Sequence, residues 1–357
     1  MTTMKTAEAK QALDKVIAKA RVHMYKPIQI AEILYRDRTV GDIDLADIDT
    51  YRNASKKWRN EVCVKLTGRV STSSARYQDD LFNDNAIPPS VLAQLGRENR
   101  RLGGAVEAYI YERFKQRFSN ISASLGYCAS HNRNSFQLKQ FLDLFWNEPG
   151  LRRSIDKVYE IVVYSLFSTL VHSLGVRVIV EPIPDKMYLL REFADFAERV
   201  IGLSPKKPRL ELNADIYRVG VTNAADRGLD MWANYGMAIQ VKHLSLTEEL
   251  AENIVSSVSS DRIVIVCKDS EEKFIVSLLT QIGWKSRIQS VITESDLIQW
   301  YEKALRGSFA AETGDYILKV LCDEVQSEFP ATHASMLDDF MSSRGYDAIA
   351  ATDVWTV

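Results

Sequence analysis

One short stretch of the chain carries an acid, a side-chain carbonyl and a lysine at strand-like spacing: Asp230, Gln240 and Lys242. Asn234-Tyr235-Gly236 between them is turn chemistry, so Asp230 and Gln240 fall on the two arms of a predicted hairpin. Side chains alternate along a strand, which puts Gln240 and Lys242 on one face and Ile239, Val241 and His243 on the other. The apolar pair can then enter a core while the polar pair faces Asp230. This set suits metal-assisted hydrolysis of a phosphodiester. Mg²⁺ takes hard oxygen ligands in octahedral geometry, and three are at hand: the Asp230 carboxylate, the Gln240 side-chain carbonyl and the Val241 backbone carbonyl. Such an ion would polarise a phosphate and acidify a water, with Lys242 orienting that water and stabilising charge on the phosphate oxygens.

The same residues admit plainer roles. Asp226 and Asp230 could close a turn by bonding nearby backbone amides, and Lys242 could be a solvent-facing strand lysine. Acid-x-lysine triplets also occur at Glu8–Lys10 and Glu271–Lys273, and a Pro184-Asp185 pair is present. None of these sits on a strand beside a second acid. A glutamine where metal sites usually hold an acid is a weaker ligand for a hard cation.

The elements around the hairpin follow from periodicity. Residues 1–150 read mainly as helices, with apolar residues at helical spacing over Lys5–Ala20, Ile28–Tyr35 and Val106–Phe118, and a loop over Gly68–Ala75. Glu148-Pro149-Gly150 marks a boundary. Beyond it the spacing predicts a long helix over Arg152–Leu174, a short strand over Val176–Glu181 and helix again over Lys186–Ile201. Strand-like pieces follow at Arg209–Val219, Gly228–Ala233 and Met237–Leu244. Then helix and strand alternate: Thr247–Ser257 helical, Arg262–Cys267 strand, Glu271–Ile282 helical, a weak strand near Ile288 and a helix over Glu294–Leu305. A helix, an antiparallel meander and then alternating strands and helices predict an α/β fold, a mixed sheet flanked by helices. Three parts are expected: a helical N-terminal region over 1–150 that recognises the substrate, a catalytic core over 151–305, and a helical acidic tail over 306–357.

Composition narrows the partners. The chain of 357 residues is 46% hydrophobic and 26% charged, with a net charge of −2. Its N-terminus lacks an apolar signal-like run, and Ile161–Val171 is about half of a bilayer span, so a soluble cytoplasmic protein without a membrane partner is expected. Four scattered cysteines and five isolated histidines give neither a disulfide framework nor a zinc spacing. The charge is uneven, however. Between Arg52 and Arg76 seven basic residues stand against Glu61 alone, a local phosphate-binding candidate on a near-neutral chain. Lys56, Lys57 and Arg59 could track phosphates, Ser71 could add a hydrogen bond, and Arg69 and Arg76 could reach guanine edges. The alternative is a solvated helix face. Arg97, Arg100 and Arg101 form a second, smaller cluster.

The run Ala225–His243 (ADRGLDMWANYGMAIQVKH) resembles the active-site hairpin of PD-(D/E)xK restriction endonucleases. More narrowly, the chain is similar to the HaeII/NgoBI group of type II enzymes through Tyr25–Arg38 (YKPIQIAEILYRDR), Gly68–Arg76 (GRVSTSSAR), Ser154–Glu160 (SIDKVYE) and Gln240–His243 (QVKH). That resemblance implies a restriction-endonuclease-like fold and Mg²⁺-dependent cleavage of double-stranded DNA at the palindrome RGCGCY. It also implies that Asp230, Gln240 and Lys242 take the three hairpin positions, with Asp226 a rival for the first. A further helical acid is expected by the same resemblance; Glu160 fits that place and Glu107 is the other candidate. A palindrome implies a homodimer with one active site per strand, and a cognate DNA methyltransferase as functional partner. Two other readings stay open on the residues alone: a structure-specific repair or recombination nuclease, and a DNA-binding protein whose site has lost catalysis.

Overall fold

Apolar residues spaced three and four apart place a buried stripe on each helix of the first third of the chain, as in Ala9, Leu13, Val16 and Ile17. In the computed structural model these helices are α1 (Thr6–Lys19), α2 (Tyr25–Thr39), α3 (Ala54–Thr67), α4 (Pro89–Arg101), α5 (Ala105–Ser130) and α6 (Leu138–Trp146). The structure describes residues 6–20, 23–68, 70, 81–147, 151, 154–219, 229–242, 260, 262–269, 277, 288–329, 334–349 and 355, with backbone alone at 242 and 288. The chain divides into two compact units, one of Met1–Ser130, Gln140–Ile155 and Val325–Val357, the other of His131–Lys139 and Asp156–Glu324.

Among its described residues the first unit contains helices joined by turns and loops, with no strand. Its core takes Leu337, Phe340, Tyr346 and Trp355 from the end of the chain alongside Ile30, Ile33, Tyr111 and Phe114 from α2 and α5. The Phe340 ring on helix α11 (Ala334–Ser343) meets Tyr111 edge-on at 4.9 Å. Polar side chains secure the same join. Tyr346 donates from its hydroxyl to Glu107 at 2.8 Å, and Arg344 reaches Glu32 at 3.0 Å. The acidic tail expected as a separate helical piece thus contributes side chains to the N-terminal core.

The second unit contains α7 (Ile155–Ser173) and two sheets. A small antiparallel pair joins β1 (Arg177–Val180) to β2 (Leu210–Asn213). Five strands form the larger sheet in the order β3 (Ile216–Arg218), β4 (Met231–Ala233), β5 (Met237–Lys242), β6 (Arg262–Cys267) and β7 (Ile288–Thr293). The first three pair antiparallel, whereas β5, β6 and β7 run parallel. Ile263, Val264, Ile265 and Val266 are all buried, as a strand covered on both faces requires. Helix α9 (Glu294–Arg306) starts at Thr293 with a capping box: the Thr293 hydroxyl accepts from the Asp296 amide, and the Asp296 carboxylate accepts from the Thr293 amide. Tyr301 on α9 donates to the Val162 carbonyl on α7 at 3.0 Å. Helix α10 (Ala310–Glu328) follows.

The chain is therefore a mixed helix and sheet protein, compatible with the α/β expectation. Among the described residues no helix is long and apolar enough to cross a membrane. Two predicted elements differ in detail. Arg209–Val219 is not one strand, because Asn234 engages the backbone of Asp215 in both directions, at 3.0 and 3.1 Å, and sends β2 and β3 to different sheets. The helix over 186–201 breaks at Phe193, with α8 (Met187–Glu192) before it and a π turn, Ala197–Ile201, closing at Gly202 with φ 80°. The helices expected over Thr247–Ser257 and Glu271–Ile282 fall almost wholly outside the described residues.

Candidate active site

The site is built on the β4–β5 hairpin. Gly236 takes φ 84°, a conformation that strongly favours glycine, and its amide donates to the Ala233 carbonyl at 3.0 Å to close the turn. The ladder pairs Met231 with Ile239, so one step further along the same register Asp230 stands opposite Gln240. The Asp230 carboxylate crosses the hairpin and accepts from the backbone amide of Val241 at 2.8 Å. That bond fixes it beside the main chain of β5. Gln240 is fully buried there and Val241 nearly so, because β5 is central in the sheet and covered on both faces.

The third group comes from α7. Six apolar residues between Val158 and Leu166 are buried on this helix, and their burial carries Glu160 inward with them. Burial is the main reason that the Glu160 carboxyl is pushed up to about 7, and the negative charge of Asp230 is the next. Lys157, one turn earlier and 2.6 Å from Glu160, pulls the other way, as does Arg218 from β3. Arg218 is largely buried and pairs with Glu324 at 2.9 Å. The Asp230 and Glu160 carboxylates and the Lys157 and Arg218 cations therefore act on one another electrostatically. Sequence reasoning had not singled out Lys157, Arg218 or Glu324. Only Lys157 had a signal, its place in the Ser154–Glu160 run.

The rival Glu107 has a different fate. It is fully buried in the first unit, bound by the Arg38 guanidinium through two contacts of 2.9 Å, by Asn99 and by Tyr346. Its oxygens are consumed by structure, so it is corrected from a possible ligand to a core anchor. Asp226 and His243 lie outside the described residues, and Lys242 is described only as backbone, paired with Cys267.

Arg59 also departs from expectation. It is fully buried, donating to Gln29 at 3.1 Å and to Asn60 at 3.0 and 2.7 Å, and so is not on a surface that phosphates reach. Lys57 on the same helix is exposed and Lys56 half-buried. Arg69, Ser71 and Arg76 lie outside the described residues. In the second basic cluster Arg100 pairs with Asp37 and Arg101 with Glu98.

Among the described residues no three His, Cys, Asp or Glu side chains gather into a metal cluster. The donors present are nonetheless hard oxygens in mixed form: two carboxylates in electrostatic contact, one amide and a backbone carbonyl. That composition fits a hard divalent cation, bound through carboxylate and carbonyl oxygens with waters and substrate phosphates completing its shell.

Comparison with known proteins gives a consistent result. The family model described as HaeII restriction endonuclease matches residues 9–346. The chain is 62% identical over 339 residues to the type II restriction enzyme HaeII of Haemophilus aegyptius, covering 95% of this chain and 96% of the relative. It is 58% identical over 346 residues to the type II restriction enzyme NgoBI of Neisseria gonorrhoeae, covering 97% and 98%. No solved structure matches the chain.

Proposed function

Because the chain belongs to the HaeII restriction endonuclease family and is a type II restriction enzyme, we propose that it cuts double-stranded DNA at the palindrome RGCGCY with Asp230, Glu160, Gln240 and Lys242 as its catalytic set. The observation that carries this reading is the Asp230 carboxylate clamped against β5 and electrostatically coupled to Glu160. In this reading the second unit has a restriction-endonuclease-like core, supported by a meander followed by parallel strands.

Mg²⁺ would be held by Asp230, Glu160, the Gln240 side-chain oxygen and the Val241 carbonyl. When bound, it supplies Lewis-acid polarisation of the scissile phosphate and acidifies a neighbouring water. The residues of the chain do the rest. Asp230, fixed by the Val241 amide, needs no rearrangement to present its charge. Glu160 gives up its proton on ion binding, since a cation offsets both the burial and the repulsion that hold it. Lys242 orients the attacking water and offsets the charge that grows on the phosphate oxygens. The attacking water gives up a proton to solvent as its oxygen bonds to phosphorus and the bridging P–O bond breaks, and the leaving oxygen takes up a proton from solvent. A homodimer would present one such site to each strand, and a cognate methyltransferase would protect the same sequence.

Plasmid DNA incubated with the protein and Mg²⁺, with EDTA as control, tests this, with the ends of the products sequenced. Discrete Mg²⁺-dependent fragments ending at one palindrome, lost in Asp230→Ala and Lys242→Ala, are expected. Fragments that persist in both variants would remove the hairpin from the mechanism.

A further inference from the structure

A small module of the second unit carries many exposed apolar side chains around a small buried core. Among the described residues nineteen large apolar side chains are exposed, and eleven of them fall between Leu174 and Leu212. The segment contains β1, α8, the turns that follow it, and β2. Its own core is slight: Leu190, Ala197 and Leu203 are the buried residues in it, with Val180, Met187 and Leu210 packed against them. Tyr188, Phe193, Phe196 and Val200 remain 59%, 56%, 54% and 67% exposed. Leu189, Phe193, Phe196 and Ile201 line one groove of about 610 Å³. Summed over the eleven, side chains of these sizes leave on the order of 1,000 Å² of apolar surface in water, and those lining the groove form its contiguous part.

We propose that this face, centred on Phe193 and Phe196, is the surface through which a second copy of the chain docks. The inference rests on the palindrome reading above, which calls for two sites related by a two-fold axis. Area supports that occupant: a stable interface buries about 800 Å² per partner. Charge supports it too. Arg191, Glu192, Asp195, Glu198 and Arg199 are exposed on the same helical segment, two cations against three anions. An isologous contact sets one patch against itself, so a patch carrying both signs can pair each cation with the copy's anion. A face meant for DNA or an anionic membrane would be strongly cationic, whereas the exposed charges between Leu174 and Leu212 nearly balance, seven cations against six anions.

The test is the mass of the full-length protein by size exclusion with light scattering, without DNA, over a range of concentrations. The wild type is expected at twice 40.5 kDa. The double variant Phe193→Asp, Phe196→Asp is expected at the monomer mass, with its dissociation constant raised at least about 100-fold and its circular dichroism retained. A dimeric variant would place the interface elsewhere, and a monomeric wild type would remove the interface altogether. Plasmid cleavage by the wild type, run in parallel, separates either result from a failure of the palindrome reading. Should the double variant not fold, amide exchange of the wild type decides. Protection over Met187–Ile201 is expected to fall on dilution to the monomer, and unchanged exchange there overturns the proposal.

Discussion

Glu160 sits where its charge is disfavoured twice, by burial and by Asp230, and where Lys157 and Arg218 only partly compensate. Its carboxyl is raised, so the folded protein holds this proton more tightly than the unfolded chain does. The sign is opposite to that of a salt-bridged acid: without metal, ionising Glu160 costs stability as pH rises through about 7. Replacing it with the neutral Glu160→Gln is therefore expected to leave the melting transition within about 1 kcal/mol of wild type, while cleavage falls by about 100-fold. A variant that melts early but cuts normally would make Glu160 structural. The same proton competes with the cation. Cleavage is expected to decline below about pH 7 at limiting Mg²⁺, and added Mg²⁺ should move that limb to lower pH. A limb that ignores Mg²⁺ concentration would dissociate Glu160 from ion binding. The hairpin half of this site was legible in sequence because Asn234-Tyr235-Gly236 and the β5 alternation are local signals. The choice between Glu160 and Glu107 was not, since both are helical glutamates. What distinguishes them is the set of partners that consume the Glu107 oxygens, Arg38, Asn99 and Tyr346, the last 239 residues away in sequence.

Helix α3 shows the same limit at the level of an element. Its basic run suggested one phosphate-tracking face, but a helix turns each successive side chain by about 100°. Lys57 consequently points outward while Arg59 enters the core and bonds Gln29 of α2. Arg59→Ala is expected to destabilise the first unit by about 3 kcal/mol, read in denaturant, because it strands Gln29 and Asn60. Lys57→Ala should alter stability by less than about 0.5 kcal/mol; if this lysine meets phosphate, it lowers the salt dependence of DNA affinity by about one ion. Equal destabilisation by both would contradict the assignment. Strands with a continuous β-branched run, such as Arg262–Cys267, were read to the residue. The stretch Arg209–Val219 was not, because its division depends on Asn234, a residue of the distant β4–β5 turn.

For the whole molecule, the order of residues in sequence is a poor guide to where they belong. The first unit draws on both ends of the chain, and Arg344 with Tyr346 meets two buried glutamates, Glu32 and Glu107. Tyr346→Phe removes one hydroxyl from that group and is expected to cost about 1–2 kcal/mol in equilibrium unfolding. A silent substitution would mean that the aromatic packing alone holds the tail. The contact between Arg344 and Glu32 spans 312 residues. At ribosomal rates of about 5–20 residues per second, Glu32 waits on the order of 15–60 seconds for its partner to be made. No nascent chain short of Arg344 can finish its helical unit, however early its first helices form. Closure of the first unit is thus a late event, deferred until Arg344 and Tyr346 have been made.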